Sequence, residues 1–412
     1  MNTQNKEPNI RFNQFKELWK VVKLDSISQK VKTKNINNTF ENVLTNSAEF
    51  GIIPQRDFFD KSIANLKNLN GYYVVQPNDF VYNPRISNKA PVGPIKANFL
   101  NSTGVMSPLY YVFRTQNVDV FFLAKYFDTS YWHKFMKLNG DTGARSDRFA
   151  IKDSVFKKMP IPFPSLPEQS AIGSLFRTLD DLLASYKDNL ANYQSLKATM
   201  LSKMFPKAGE TVPEIRLDGF EGEWDEKRLK DISKRVTRKN NDLVSERALT
   251  ISAQFGLIDQ EEFFQKKIAS KDVSGYYLIK KGEFAYNKSY STGYPLGAIK
   301  RLDKYENGVL STLYILFKAV DVDSDYLAHY YESDKWHREV SMCAAEGARN
   351  HGLLNIAPAD FFNTRLVIPK ELEEQQAIGS YFSNLDNLIN SHQEKISQLE
   401  TLKKKLLQDM FI

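Results

Sequence analysis

The chain is short of the residues that most reactive centres use. Its 412 residues include a single cysteine, Cys343, and only five histidines. One cysteine excludes an internal disulfide and suits a reducing compartment. The histidines and the cysteine show no spacing expected of a zinc site. Neither a Gly-x-x-x-x-Gly-Lys-Ser/Thr phosphate loop nor a Gly-x-Gly-x-x-Gly dinucleotide fingerprint occurs. Apolar runs are short as well. Nothing approaches the roughly 18 consecutive apolar residues of a membrane span, and no apolar segment follows the polar first twelve residues as in a signal peptide. The expectation is a cytoplasmic protein with no membrane contact, no metal, no cofactor and no catalytic residue of its own.

What the chain has in abundance is itself. Glu168-Gln169-x-Ala171-Ile172-Gly173-Ser174 returns as Glu374-Gln375-x-Ala377-Ile378-Gly379-Ser380. Leu179-Asp180 returns as Leu385-Asp386, and Met204-Phe205 as Met410-Phe411. Upstream, Pro8-x-Ile10-Arg11 and Trp19 match Pro213-x-Ile215-Arg216 and Trp224, and Gly71-Tyr72-Tyr73 matches Gly275-Tyr276-Tyr277. Gly143-Ala144-Arg145 likewise recurs as Gly347-Ala348-Arg349. The offset stays between 204 and 206 throughout, far longer than the period of a solenoid. A domain-sized unit has been duplicated, and loop lengths have hardly changed. Loop residues have: Tyr82-Asn83-Pro84-Arg85-Ile86 faces Tyr286-Asn287-Lys288-Ser289-Tyr290. A kept scaffold with altered loops implies two units doing one job on different targets.

Charge is distributed unevenly. The formal net charge is +7; residues 1–206 hold 27 Lys and Arg against 17 Asp and Glu, residues 207–412 hold 29 against 32. A basic balance fits a polyanionic partner, and the asymmetry predicts more phosphate contacts from the first half.

Between Pro167 and Met204 there is no proline and one glycine, and apolar residues fall at Ile172, Leu175, Leu179, Leu182, Tyr186, Leu190, Tyr193, Leu196, Met200 and Met204. Steps of three and four mark a helical stripe. The second copy repeats the step order at Ile378, Tyr381, Leu385, Leu388, His392, Ile396, Leu399, Leu402, Leu406 and Met410. The order breaks strict heptads after Leu182, which reads as a stutter. Each helix of about 38 residues would be roughly 57 Å long, and two matching seams related by a pseudo-two-fold axis predict an antiparallel coiled coil.

The fold class expected is mixed α/β (α+β): two tandem pseudo-symmetric globular domains separated by two long antiparallel helices. The boundaries read as 1–160 for the first domain, 161–206 for a central spacer helix, 207–365 for the second domain and 366–412 for a second spacer helix. Residues 206–213 form a turn-rich linker. Short strands include Gly71–Val75 and Leu310–Phe317, with helices at Val120–Phe127 and Tyr326–Glu332. Trp132-His133 and Trp336-His337 read as core aromatics with a satisfied neighbour.

Loops after strands carry the residues expected to meet a polyanion. In the first copy these are Lys30, Lys32 and Lys34, then Arg85 and Lys89, then Thr142, Gly143, Arg145 and Ser146. In the second they are Arg235, Arg238 and Lys239, then Lys288 and Tyr290, then Arg349, Asn350 and His351. Arginine can pair bidentately with guanine and asparagine with adenine, while lysine mainly meets phosphate. Asn83-Pro84 begins like the Asn-Pro-Pro-aromatic motif of amino-methyltransferases, but Arg85-Ile86 follows it and Asn287-Lys288 replaces it in the second copy.

Two variable α/β halves, each closed by a long helix opening at Leu166-Pro167-Glu168-Gln169-Ser170-Ala171-Ile172 or Leu372-Glu373-Glu374-Gln375-Gln376-Ala377-Ile378, resemble the specificity subunits of type I restriction–modification systems. The resemblance covers essentially the whole chain and departs from the pattern at Glu373, where the first copy has proline. It implies a non-catalytic subunit in which each half reads one part of an asymmetric bipartite site in double-stranded DNA. It implies partners too: two adenine methyltransferase subunits docked on the helices, and restriction/translocase subunits reached through the complex. The alternative from another class is a coiled-coil scaffold for proteins. DNA binding through phosphates would weaken steeply with salt, whereas scaffold contacts would not.

Overall fold

A computed structural model describes residues 7–58, 69–141, 147–252, 256–266, 272–289, 293–343 and 354–412. The chain divides into two compact units, one formed by residues 1–187 with Glu394–Ile412, the other by Asp188–Gln393. The architecture is mixed α/β in both.

In the first unit a four-stranded antiparallel sheet runs in the order Ser28–Lys30, Tyr111–Thr115, Phe80–Tyr82, Ile95–Ala97. Three antiparallel pairs surround it: Lys20–Lys23 with Pro160–Phe163, Leu44–Ser47 with Gly51–Pro54, and Tyr73–Val75 with Gly104–Met106. The strand Phe80–Tyr82 is buried at every position because both faces of the sheet are covered. Side chains alternate across a strand, so Phe80 and Tyr82 join the large core beneath helix Val120–Asp128 while Val81 joins a smaller core on the opposite face.

The second unit repeats this strand for strand. Its sheet runs Ser233–Val236, Ile315–Ala319, Phe284–Asn287, Ala298–Arg301. The register is kept as well: Phe80 lies opposite Phe113 and Phe284 opposite Phe317, ring centroids 5.3 and 5.1 Å apart and nearly parallel. One expectation fails here. Leu310–Phe317 is not one strand but the strands Asn307–Leu310 and Ile315–Ala319 joined by a turn, Tyr314 N–H donating to Ser311 O at 3.1 Å. In the first copy Pro108 announces that turn by lacking an N–H; Thr312 replaces it and hides the break.

The helices Leu166–Lys203 and Leu372–Asp409 are 38 residues each. Their seam differs from the expected one. The protected positions are Ile172, Phe176, Leu179, Leu183, Tyr186, Leu190, Tyr193, Lys197, Met200 and Met204, alternating steps of four and three without a stutter. Leu182 and Leu196 are instead 39% and 37% exposed, and their counterparts Leu388 and Leu402 are 41% and 44% exposed. In the first unit, residues 166–187 run antiparallel to 394–409, with Lys187 on Glu400 at 2.7 Å and Asp180 on Lys403 at 2.5 Å. In the second, residues 188–203 run antiparallel to 372–393, with Lys197 on Asp386 at 2.5 Å and Tyr193 against His392. The Met-Phe motif ends each pairing as a plug: Phe411 packs among Phe122, Tyr126 and Phe176, and Phe205 among Tyr326, Tyr330 and Phe382.

Candidate nucleic-acid interface

The repeated helix-start motif proves to be an anchor. The Glu168 carboxylate is buried and accepts from Arg11 Nε at 2.7 Å, Arg11 Nη2 at 2.9 Å and Trp19 Nε1 at 3.1 Å. Glu374 does the same with Arg216 Nε at 2.7 Å, Arg216 Nη2 at 2.8 Å and Trp224 Nε1 at 3.2 Å. The next residue ties the helix to the globular part: the Gln169 side chain accepts from Asp119 N–H and donates to Pro164 O, and Gln375 links Asp323 and Pro369 likewise. The loops that vary are thereby carried on a base that does not.

A second repeated device lies beside the anchor. In the first unit Lys96 and Lys125 meet Asp128 at 2.6 and 3.1 Å, Lys125 meets Asp180 at 2.7 Å, and Lys403 meets Asp180 from the second long helix. The second unit holds Lys300, His329, Glu332, Asp386 and Lys197 at the same places. His329, Glu332 and Asp386 present donor atoms within 4.8 Å of one another, as a metal site would. Lys197 and Lys300 already satisfy those carboxylates, however, and lysine replaces the histidine in the first unit, so the cluster is an ion network. Burial works against ionisation of Glu332, but the His329 hydrogen bond and the Lys300 and Lys197 charges outweigh it and hold the carboxyl far below its ordinary range. Burial is likewise opposed at Asp128 by Lys96 and Lys125, with a net lowering. A carboxyl whose folded value is depressed stabilises the fold above its unfolded value and loses that contribution as pH falls. Acid titration below the ordinary values of 3.8 for Asp128 and 4.5 for Glu332 should therefore weaken both networks. Glu332→Gln should cost about 2 kcal/mol at neutral pH, the scale of a hydrogen bond to a charged group, and flatten the acid loss, measured by denaturant unfolding across pH. An unchanged pH slope would remove the network from the account.

A cleft of about 650 Å³ opens in the first unit between the Leu44–Pro54 hairpin, residues 83–89 and the turn at Ser107–Tyr110. Arg85, Lys89 and Arg148 line it against one carboxylate, Glu49, with Asn83 and Asn88 among its polar walls. Arg85 and Lys89 are each 65% exposed in their side chains; Arg85 lies 3.7 Å from Asp147 and Lys89 2.6 Å from Glu49. Both are held loosely enough to exchange an exposed partner for a phosphate. A neighbouring cleft shares Pro84, Leu109 and Tyr110 and contains Lys30, which pairs with Asp153 and lies 4.9 Å from the Tyr111 ring.

The other expected contacts are placed differently. Lys32 is exposed and lines neither cleft. Lys34 donates to Gly71 O at 2.8 Å over the Tyr73 ring, and Lys239 repeats this with Gly275 O at 2.7 Å and Tyr277. Arg238 is engaged by Glu283 and Leu278 O. Glu283 answers to Asp79, whose arginine is instead Arg114, in the strand Tyr111–Thr115. Arg235 is exposed opposite Phe317, as Lys30 stands opposite Phe113. Lys288 is half-buried and reaches Ile356 O at 3.4 Å, and burial lowers its pKa. Thr142, Gly143, Arg145, Ser146, Tyr290, Arg349, Asn350 and His351 lie outside the described residues. Sequence reasoning missed Arg148, Asn88 and Leu109 as cleft residues. Only Leu109 carried a signal, since it recurs as Leu313.

Trp132 and Trp336 are buried, each indole N–H donating to a main-chain carbonyl, as a core role requires. Among the described residues no helix is long and apolar enough to cross a membrane.

No protein-family model matches the chain. The MjaVIII type I restriction enzyme specificity subunit of Methanocaldococcus jannaschii is 22% identical over 410 residues, spanning 95% of this chain and 91% of that one. Among solved structures, the type I restriction–modification S subunit from M. genitalium aligns over 99% of both chains with a TM-score of 0.56 at 15% identity, which establishes a shared fold. The HsdS subunit from Thermoanaerobacter tengcongensis aligns over 95% of this chain and 96% of its own with a TM-score of 0.47 and 15% identity. Over nearly its full length, this chain is similar in sequence to one type I restriction enzyme specificity subunit and shares the fold of another.

Proposed function

We propose that the chain is the DNA-reading specificity subunit of a type I restriction–modification complex, each unit reading one part of an asymmetric bipartite site. The observation that carries this reading is the pairing of an unchanged anchor with changed loops. Arg11–Glu168–Trp19 and Arg216–Glu374–Trp224 match atom for atom, while Asn83-Pro84-Arg85 is answered by Asn287-Lys288-Ser289. A duplicated mount with different tips suits two readers of different sequence. The cleft cations Arg85, Lys89 and Arg148 supply phosphate or guanine contacts to the first reader, and Arg235 and Lys288 are candidates in the second. Loop residues 142–146 and 349–351 belong to the same proposal.

The chain contributes position and no chemistry in this reading; methyl transfer falls to two adenine methyltransferase subunits, and cleavage to restriction/translocase subunits. On its long helices each unit leaves exposed two leucines whose counterparts are exposed in the other, Leu182 and Leu402 in the first and Leu388 and Leu196 in the second. Such a pair suits one apolar methyltransferase contact per unit.

Methylome mapping tests the whole reading. Expressed with its methyltransferase in a methylation-free host, the chain should direct adenine methylation to a split motif with two unlike halves and a fixed gap. A methyltransferase complex that forms without any chain-dependent motif would sink DNA reading and favour a protein scaffold.

A further inference from the structure

One exposed residue is the same in both units although its surroundings have changed. Leu109 and Leu313 are 60% and 58% exposed, each third in a turn reading Ser-x-Leu-Tyr. The turns are built identically. Tyr110 N–H donates to Ser107 O and Tyr314 N–H to Ser311 O, both at 3.1 Å, and each leucine N–H lies 3.4 Å from the turn serine hydroxyl. The tyrosine that follows packs against the smaller core of its unit in both cases. The leucine is thus the outward tip of a braced turn. A single exposed leucine is ordinary. Two at one place in two diverged copies are not explained by folding, since neither contributes to a core.

The location identifies an occupant. Leu109 borders both clefts of the first unit, the one with Arg85, Lys89 and Arg148 and the one with Lys30. In the second unit the strand that follows the turn pairs Phe317 with Arg235, as the equivalent strand pairs Phe113 with Lys30. The apolar tip of the first unit, with cations in the clefts on either side of it, matches a duplex, whose apolar base faces lie between two phosphate strands. Because the loops beside the two turns differ, Asn83-Pro84-Arg85 against Asn287-Lys288-Ser289, a residue common to both performs a task common to both halves and does not choose the sequence.

We propose that Leu109 and Leu313 are apolar wedges that enter the base stack, one in each half of the bipartite site, and locally unstack it. This rests on the DNA-reading function proposed above. The test uses the chain with its methyltransferase and a duplex carrying the motif found by methylome mapping, with 2-aminopurine placed at a base step in one half or the other. Wild type should raise 2-aminopurine fluorescence in both halves. Leu109→Ala should abolish most of the rise in one half only, and Leu313→Ala in the other, with binding weakened about tenfold, as expected for partial loss of a leucine's buried area. Leu109→Met should restore the signal, since a long apolar chain suffices. Variants that bind and keep the full rise in both halves would overturn the wedge and leave DNA reading standing. Failure of wild type to prefer the motif duplex over a scrambled one would overturn both.

Discussion

Gly173→Ala will destabilise the first unit by about 2 kcal/mol or more, although glycine to alanine in an exposed helix interior usually gains roughly 1 kcal/mol. A Cβ on Gly173 would lie 2.6 Å from Asp119 Oδ1 and 3.1 Å from both Phe121 Cβ and Phe122 N. Two of these contacts are backbone or near-backbone atoms that cannot swing away. The third is the carboxylate that caps helix Val120–Asp128 by accepting from Phe122 N–H, and displacing a cap costs a further ~1 kcal/mol. Gly379→Ala should reproduce the effect in the second unit, where a Cβ would meet Tyr326 N at 2.8 Å and Asp325 Cβ at 2.9 Å. Denaturant midpoints measure the loss, and hydrogen exchange by mass spectrometry assigns it to a unit. A stabilised Gly173→Ala protein would mean that the helix start is not seated as described.

The second large effect is expected at the anchor. Removing the Glu168 carboxylate leaves the Arg11 guanidinium and the Trp19 indole N–H without their buried acceptor. Breaking one partner of such a pair costs about 3 kcal/mol, whereas replacing both by apolar groups of similar size is often close to neutral. Glu168→Ala should therefore be markedly less stable than the double variant Arg11→Met/Glu168→Leu, with faster hydrogen exchange confined to the first unit. Glu374→Ala against Arg216→Met/Glu374→Leu should show the same contrast in the second. Equal losses in single and double variants would show that packing, and not the stranded charge, governs the anchor.

Both effects concern residues that the repeat had already marked, yet their roles were not readable from it. Glu-Gln at a helix start satisfies a first turn with a carboxylate near the dipole, and nothing local says that the glutamate is buried. Its burial depends on Arg11 and Trp19, about 150 positions away in sequence. The seam shows the same limit. Leu175-Phe176 and Leu182-Leu183 are adjacent apolar pairs, and either member continues a run of threes and fours. The sequence permits both registers; packing against the other helix and the globular core selects Phe176 and Leu183 and turns Leu182 outward.

The cation sites divide similarly. Lys30 and Arg235, expected in loops, lie within strands, and a lysine's charge does not reveal its partner. Lys34 and Lys239 proved to be held by a carbonyl and a tyrosine ring, and Arg238 by a buried glutamate. Arg85 and Lys89 stand at a cleft that needs the hairpin at Leu44–Pro54 to exist.

By itself the sequence determined the duplication, the mixed α/β class, two 38-residue helices and a seam of pseudo-symmetric partners. All of these follow from periodicity and from identity at a constant offset, which are properties of one dimension. Tertiary structure alone decided which face of each helix is covered, which charges are paired, where the cleft lies and which leucines remain in the open. Those outcomes are set by contacts between segments distant in sequence, where burial and hydrogen-bond geometry choose among arrangements that local pattern leaves equal.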